Sequence, residues 1–220
     1  SDYLDLNDTL LYIQVKVVGS DGKELAKDAD VTPSNYLFDT FFKDVALSLN
    51  SEKIEGGNND YTYKALLETI LNYNNDTKKT SLTSIGYDES DVVRKGWIKE
   101  SKVLNMCGSL QLDFFDQPKY LIPGVNVFLR LQRNASSFSL ISPTLKPKII
   151  CFESKLYVRR VKVEPSVLIG HQMGLNSMNA VYPYRKTKFV SYTIASGSSS
   201  FYKDQIFGDT RLPKFILVTF

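Results

Sequence analysis

Alternation of apolar and polar positions is the dominant signal along this chain. From Thr9 to Val18, Leu11, Ile13, Val15 and Val17 fall on one side and Tyr12, Gln14 and Lys16 on the other. That two-residue period predicts a strand with one buried face. Gly19-Ser20-Asp21-Gly22 then supplies the residues of a tight turn, since glycine accepts positive φ at no steric cost. The aromatic run Tyr36–Phe42 and the alternation Val45, Leu47, Leu49 predict two short strands or one bent strand. Further strands are predicted over Leu110–Phe115, Val125–Arg133 and Lys148–Val163, with Val125, Val127, Leu129 and Leu131 facing inward in the second. Lys188–Ile194 and Lys214–Phe220 complete the set, the latter bounded by the turn Arg211-Leu212-Pro213.

Two segments break the alternation. Tyr63, Leu66, Leu67, Ile70 and Tyr73 recur at helical spacing, which predicts one amphipathic helix over Tyr61–Tyr73 whose apolar stripe caps a sandwich. Glu164-Pro165 opens a shorter helix through Gln172, with proline where its missing N–H is tolerated. Thr77–Lys99 is polar and weakly patterned and reads as a long surface excursion ending near Trp97. The polar stretch Gly174–Ala180 marks the expected domain boundary. The final run Phe-Ile-Leu-Val-Thr-Phe has no following turn, so the chain reads as part of a longer protein or as an edge that pairs elsewhere. The expected fold is therefore all-β.

Composition narrows the classes. The chain has 220 residues, 43% hydrophobic and 23% charged, average values for a folded domain with a real core. No apolar run reaches the roughly 20 residues of a membrane-spanning helix. Ser1–Asp8 lacks the pattern of a secretory signal. The net charge of +3 comes from interspersed residues, which is not the one-sided field of a nucleic-acid binder. The local cluster Tyr184-Arg185-Lys186-Thr187-Lys188 reads as a solvated strand start. Cys107 and Cys151 lack metal-ligand spacing and read as reduced thiols. The sequons at Asn7, Asn75 and Asn134 are discounted, as an Asn-rich chain generates such triplets by chance.

Catalytic chemistry finds little support. His171 is the one histidine, so metal cages built on two imidazoles and Ser-His-Asp relays lack a partner set. It reads as structural. Gly56-Gly57 precedes a helix without the Lys-Ser/Thr of a phosphate loop. Asp113, Asp116 and Glu153 are the carboxylates that could form a glycosidase pair. Tyr87 and Trp97 are the loop aromatics that could stack on sugar rings. No catalytic, cofactor-binding or metal-ligating residue is expected, and no cofactor.

The order of several segments carries a resemblance. Tyr3–Lys16, Ala29-Asp30-Val31 before Pro33-Ser34-Asn35, Tyr61–Leu71, Gln117–Asn126, Tyr157–Val167 and Tyr182–Arg185 together resemble the double jelly-roll major capsid proteins of Polinton/Maverick elements and adintoviruses. The resemblance implies two eight-stranded jelly rolls, trimers acting as pseudo-hexagonal, hexon-like capsomers, and an icosahedral virion. It places a first jelly roll at residues 1–180 and the opening strands of a second at 181–220. The implied partners are copies of the chain, neighbouring capsomers and minor capsid or penton proteins, with neither a small-molecule substrate nor direct nucleic-acid contact. Two departures are visible: the excursion around Tyr87–Trp97 is short, and most of a second jelly roll is missing after Phe220. The alternative expectation is a carbohydrate- or receptor-binding β-sandwich.

Overall fold

A computed structural model describes residues 2–198, 200–203 and 212–219. The chain divides into two compact units, Ser1–Lys186 and Thr187–Phe220. In the first unit the strands are β1 (Tyr3–Val18), β2 (Thr32–Pro33), β3 (Phe42–Leu49), β4 (Glu52–Glu55), β5 (Val103–Ser109), β6 (Val127–Arg133), β7 (Leu140–Ile141) and β8 (Lys148–Val161). The helices are α1 (Leu37–Phe41), α2 (Tyr61–Asn72), α3 (Asn75–Lys79), α4 (Asp91–Ile98), α5 (Ser136–Ser139) and α6 (Pro165–Leu175). Sheet dominates, and every strand pairing is antiparallel.

Two three-stranded sheets, ordered β5-β1-β8 and β4-β3-β6, and a two-stranded β2-β7 patch make up the sheet structure. Three of the pairings are nested: the first strand pairs with the eighth, the second with the seventh and the third with the sixth. Directly opposed residues share a face. The inner face of one sheet therefore carries Leu11, Ile13 and Val15 beside Gly108, Met106 and Leu104 of β5. The other carries Val45 and Leu47 beside Leu131 and Leu129. These side chains join one hydrophobic core with Phe38, Phe41, Phe42 and Phe114. Gly108 is needed in that core because a Cβ there would lie 2.5 Å from Ile85 and 3.2 Å from the Phe38 ring.

Several predicted elements are corrected. The strand at Tyr36–Phe42 is largely the helix α1, whose five residues are all buried. A short run that is apolar on every side has no periodicity to separate helix from strand. Leu110–Phe115 is not a strand but a pair of turns, with Phe115 N–H donating to Leu112 O at 2.9 Å. The backbone amides of Asp113 and Phe114 are drawn instead to the Glu55 carboxylate, at 3.1 and 3.3 Å. The true strand, β5, precedes it. The surface excursion at 77–99 contains α3, a 3-10 turn over Ser81–Ile85, and α4. Buried Arg94 anchors α4 by donating to Pro33 O at 3.1 Å.

Helix α2 forms where its spacing predicts, but it is rotated. Its buried residues are Tyr61, Thr62, Lys64, Ala65 and Thr69, while Tyr63, Ile70 and Leu71 are exposed. The apolar stripe does not cap the core; a hydrogen-bonding face does. Thr62 donates to Phe42 O at 2.6 Å and Thr69 to the Asp39 carboxylate at 3.0 Å, so the inward polar groups are satisfied.

Tyr182 and Tyr184 stack their rings 5.8 and 5.4 Å from Phe114, so residues 181–186 pack with the first unit. In the second unit, described by itself, Lys203 lies 5.7 Å over the Tyr192 ring, which also meets Phe201. None of its described residues joins a strand ladder, including those of the expected strands 188–194 and 214–219. Arg211 and Phe220, at the edges of the expected turn and last strand, lie outside the described residues.

Candidate assembly surfaces and a buried charge cluster

The structure disperses the residues singled out for catalysis. Asp113 is buried in the turn after β5, with Oδ1 2.7 Å from Lys64 Nζ. Asp116 is exposed at the end of that turn. Glu153 sits on β8 and pairs with Lys155 at 2.6 Å. Two carboxylates of one turn, one buried on Lys64 and one exposed, and a third on β8 paired with Lys155 are each engaged differently and do not form the opposed pair that glycoside hydrolysis needs. Among the described residues, no group of three or more His, Cys, Asp and Glu side chains could hold a metal ion.

The sugar-stacking aromatics fare differently from each other. Tyr87 is buried against Tyr36, with ring centroids 4.8 Å apart, so it offers no face to a ligand. Trp97 is half-buried and packs on the core. His171, on α6, lies 2.6 Å from the Tyr3 hydroxyl and meets that ring edge-on. This contact ties α6 to the start of β1. Cys107 and Cys151 are half-buried free thiols. Asn134 is engaged internally, donating to Thr40 O and the Thr62 hydroxyl at 2.9 and 2.8 Å.

Sequence reasoning missed the interior charge cluster. Lys64 of α2 meets both Glu55 of β4 and Asp113. Burial pulls the Lys64 ammonium down, but the two carboxylates outweigh it and hold its pKa above the ordinary lysine value. Glu55 also accepts the two backbone amides noted above, so one carboxylate organises the helix, the strand end and the turn. A lysine on the wrong side of a predicted apolar stripe was the available signal. Asp39 is another buried carboxyl group: burial raises its pKa to about 6 while the Thr69 hydroxyl opposes the rise.

What the surface offers is extended and apolar. A cavity of about 200 Å³ opens between the sheets, lined by Leu4, Leu6, Phe115, Leu129, Leu156 and Val158, among others. It lies beside the outer edges of β6 and β8, the last strands of their sheets. Phe128, Phe152 and Tyr157 on these strands are more than half exposed. Helix α6 buries no residue at all, leaving Ile169 and Met173 to solvent. These exposed apolar side chains lie on two sheet edges and one helix.

Comparison with known proteins adds one relative and no family. The chain is 29% identical over 151 residues to an uncharacterized protein of Caenorhabditis elegans. That match takes in 62% of this chain and 36% of the relative, so the chain spans about a third of the relative's length. No family model matches. No helix among the described residues is long and apolar enough to cross a membrane.

Proposed function

We propose that this chain is a shell-forming structural protein of the double jelly-roll major capsid type, acting through its surfaces and not through a reactive cleft. The observation that carries the reading is the nested pairing of β1 with β8, β2 with β7 and β3 with β6. A long ribbon that pairs its two arms and then rolls up produces these three pairings, and the jelly roll is such a ribbon wrapped into two facing sheets. The fourth pairing of such a ribbon, β4 with β5, is replaced by β4 on β3 and β5 on β1. The collinear segments described above support the same family. On this reading residues 1–180 belong to a first jelly roll and the segment from 181 leads into a second. The assembled unit is a homotrimeric, hexon-like capsomer that meets other capsomers and penton or minor capsid proteins in a virion.

Exposed apolar strands and helices fit such a role, because shell subunits bury large complementary surfaces against each other. The sugar-binding alternative needs exposed stacking aromatics, and burial of Tyr87 against Tyr36 removes one of its two candidates. Light scattering coupled to size exclusion, followed by negative-stain microscopy, tests the proposal. Trimers with a hexagonal outline are expected. A species that stays monomeric as concentration rises, yet binds glycans on an array, overturns it in favour of the alternative.

A further inference from the structure

We propose that Lys64 and Asp113 join covalently, their side chains condensing to an amide inside the domain, with Glu55 as the group that moves the proton. The three side chains converge from α2, the turn after β5 and β4. Lys64 Nζ stands 2.7 Å from Asp113 Oδ1 and also contacts Glu55. Side-chain exposures of 9, 5 and 11% for Lys64, Asp113 and Glu55 leave little access for bulk water. Phe114, next to Asp113 in the chain, is buried and stacks with Tyr182 and Tyr184. The inference does not depend on the shell reading.

The structure holds the reactants as an ion contact, so the reaction starts from charged groups. Transfer of one ammonium proton to the Asp113 carboxylate gives a neutral amine and a neutral acid, a pair that a dry interior tolerates better than isolated ions. The Lys64 nitrogen then attacks Asp113 Cγ and forms the new N–C bond. Glu55 accepts the second proton from that nitrogen and returns it to the departing Asp113 oxygen, which leaves as water. One C–O bond breaks, one C–N bond forms, and no oxidant or reductant is needed. Glu55 is held for this task by the amides of Asp113 and Phe114, at 3.1 and 3.3 Å. Fixed geometry of this kind replaces a bimolecular encounter, with effective molarities on the order of 10⁵ M or more. Because the ion cluster is the resting state, formation follows folding slowly.

Intact-mass measurement of the folded protein under denaturing conditions, repeated until the mass stops changing, is the test. The expected result is a mass lower by one water. A tryptic digest should join residues 54–78, uncut at Lys64, to residues 103–119. Glu55→Gln should hold the full mass, and Asp113→Asn should form the same link with loss of ammonia. The wild-type measurement stands even if a variant does not fold. A folded wild-type protein that keeps its full mass overturns the proposal. So does a loss of water without the 64–113 link, as ring closure at Asp21-Gly22 would give.

Discussion

β1 and β8 are the two longest strands, and they pair with each other along most of their length, yet they live in different surroundings. On β1, Leu11, Ile13, Val15 and Val17 are all essentially sealed from solvent. On β8, the residue opposite Leu11 is Leu156, which is 43% exposed, and Phe152 and Tyr157 are more exposed still. Hydrogen bonding is shared, but cover is not. β1 is central in its sheet and contributes its inner face to the hydrophobic core, whereas β8 is an edge beside the open cavity. A strand's stability contribution is thus set less by its own pattern than by what lies above it.

Charge pairs give the comparison its sharpest edge. In the ion cluster that precedes any Lys64–Asp113 link, Lys64→Ala leaves Glu55 and Asp113 buried without their cation, and should cost about 3–5 kcal/mol. Lys155→Ala on β8 removes the partner of Glu153 in an exposed pair, and should leave the denaturation midpoint where it was. Urea titration of both variants checks the contrast. Equal losses would mean that β8 is as covered as β1.

Apolar truncation repeats the contrast at smaller scale. Leu11→Ala should destabilise by about 3 kcal/mol, since the filled core cannot collapse around the void. Leu156→Ala, one position across the ladder, already faces solvent and should cost about 1 kcal/mol or less. The same titration reads both. If the difference vanishes when the protein is assembled into an oligomer, the cavity flank is covered there, as the shell proposal requires.

The sequence told much about where strands run and less about what covers them. Alternation placed β3, β6 and β8 to within a few residues and the second part of β1, from Thr9, but not its first six residues. It failed at Leu37–Phe41, where burial on every side leaves no period to read, and at Leu110–Phe115, where a distant carboxylate, Glu55, pulls the backbone amides out of a ladder. Helix α2 was legible as a helix but not in its orientation, because Thr62, Lys64 and Thr69 turn inward to partners that are remote in sequence. β5 stayed hidden because Gly108 leaves its inner face without a side chain, while Val103 and Cys107 on the outer face blur the alternation. Of the candidate site, Asp113 was visible as a residue, but its environment depends on a three-element contact.

Acid should act oppositely on a buried and an exposed carboxyl group. Asp39, in the covered interior, has its pKa raised to about 6 by burial. It binds its proton more tightly folded than unfolded, so its contribution is fully present below its unfolded pKa of 3.8 and is lost as pH rises through about 6. The protein should gain on the order of 2 kcal/mol from this group between pH 7 and pH 4. Exposed Glu24 is held below its ordinary value by the hydrogen bond from Lys16, so its smaller contribution is present at neutral pH and lost on acidification. Asp39→Asn should raise stability at pH 7 and flatten the profile. A variant with an unchanged slope between pH 4 and 7 would show that another group carries it.

The smallest effect tests the open flank from inside. Thr9 lines the cavity and is almost fully buried, yet among the described residues its hydroxyl reaches only Asp5 O, at 3.5 Å. That distance is at the outer limit of a useful hydrogen bond, so the hydroxyl brings little to offset its desolvation. Thr9→Val keeps the shape and the strand preference and replaces the hydroxyl by a methyl among Leu4, Leu6 and Leu129. Stability should rise by about 0.5–1 kcal/mol. The same change at Thr62, whose hydroxyl donates to Phe42 O at 2.6 Å in the filled region, should lower stability by about 1–3 kcal/mol, because a buried carbonyl loses its donor. Opposite signs at two equally buried threonines follow from the bond each hydroxyl makes, long at Thr9 and short at Thr62, and matching signs would show that burial of the hydroxyl outweighs its bond.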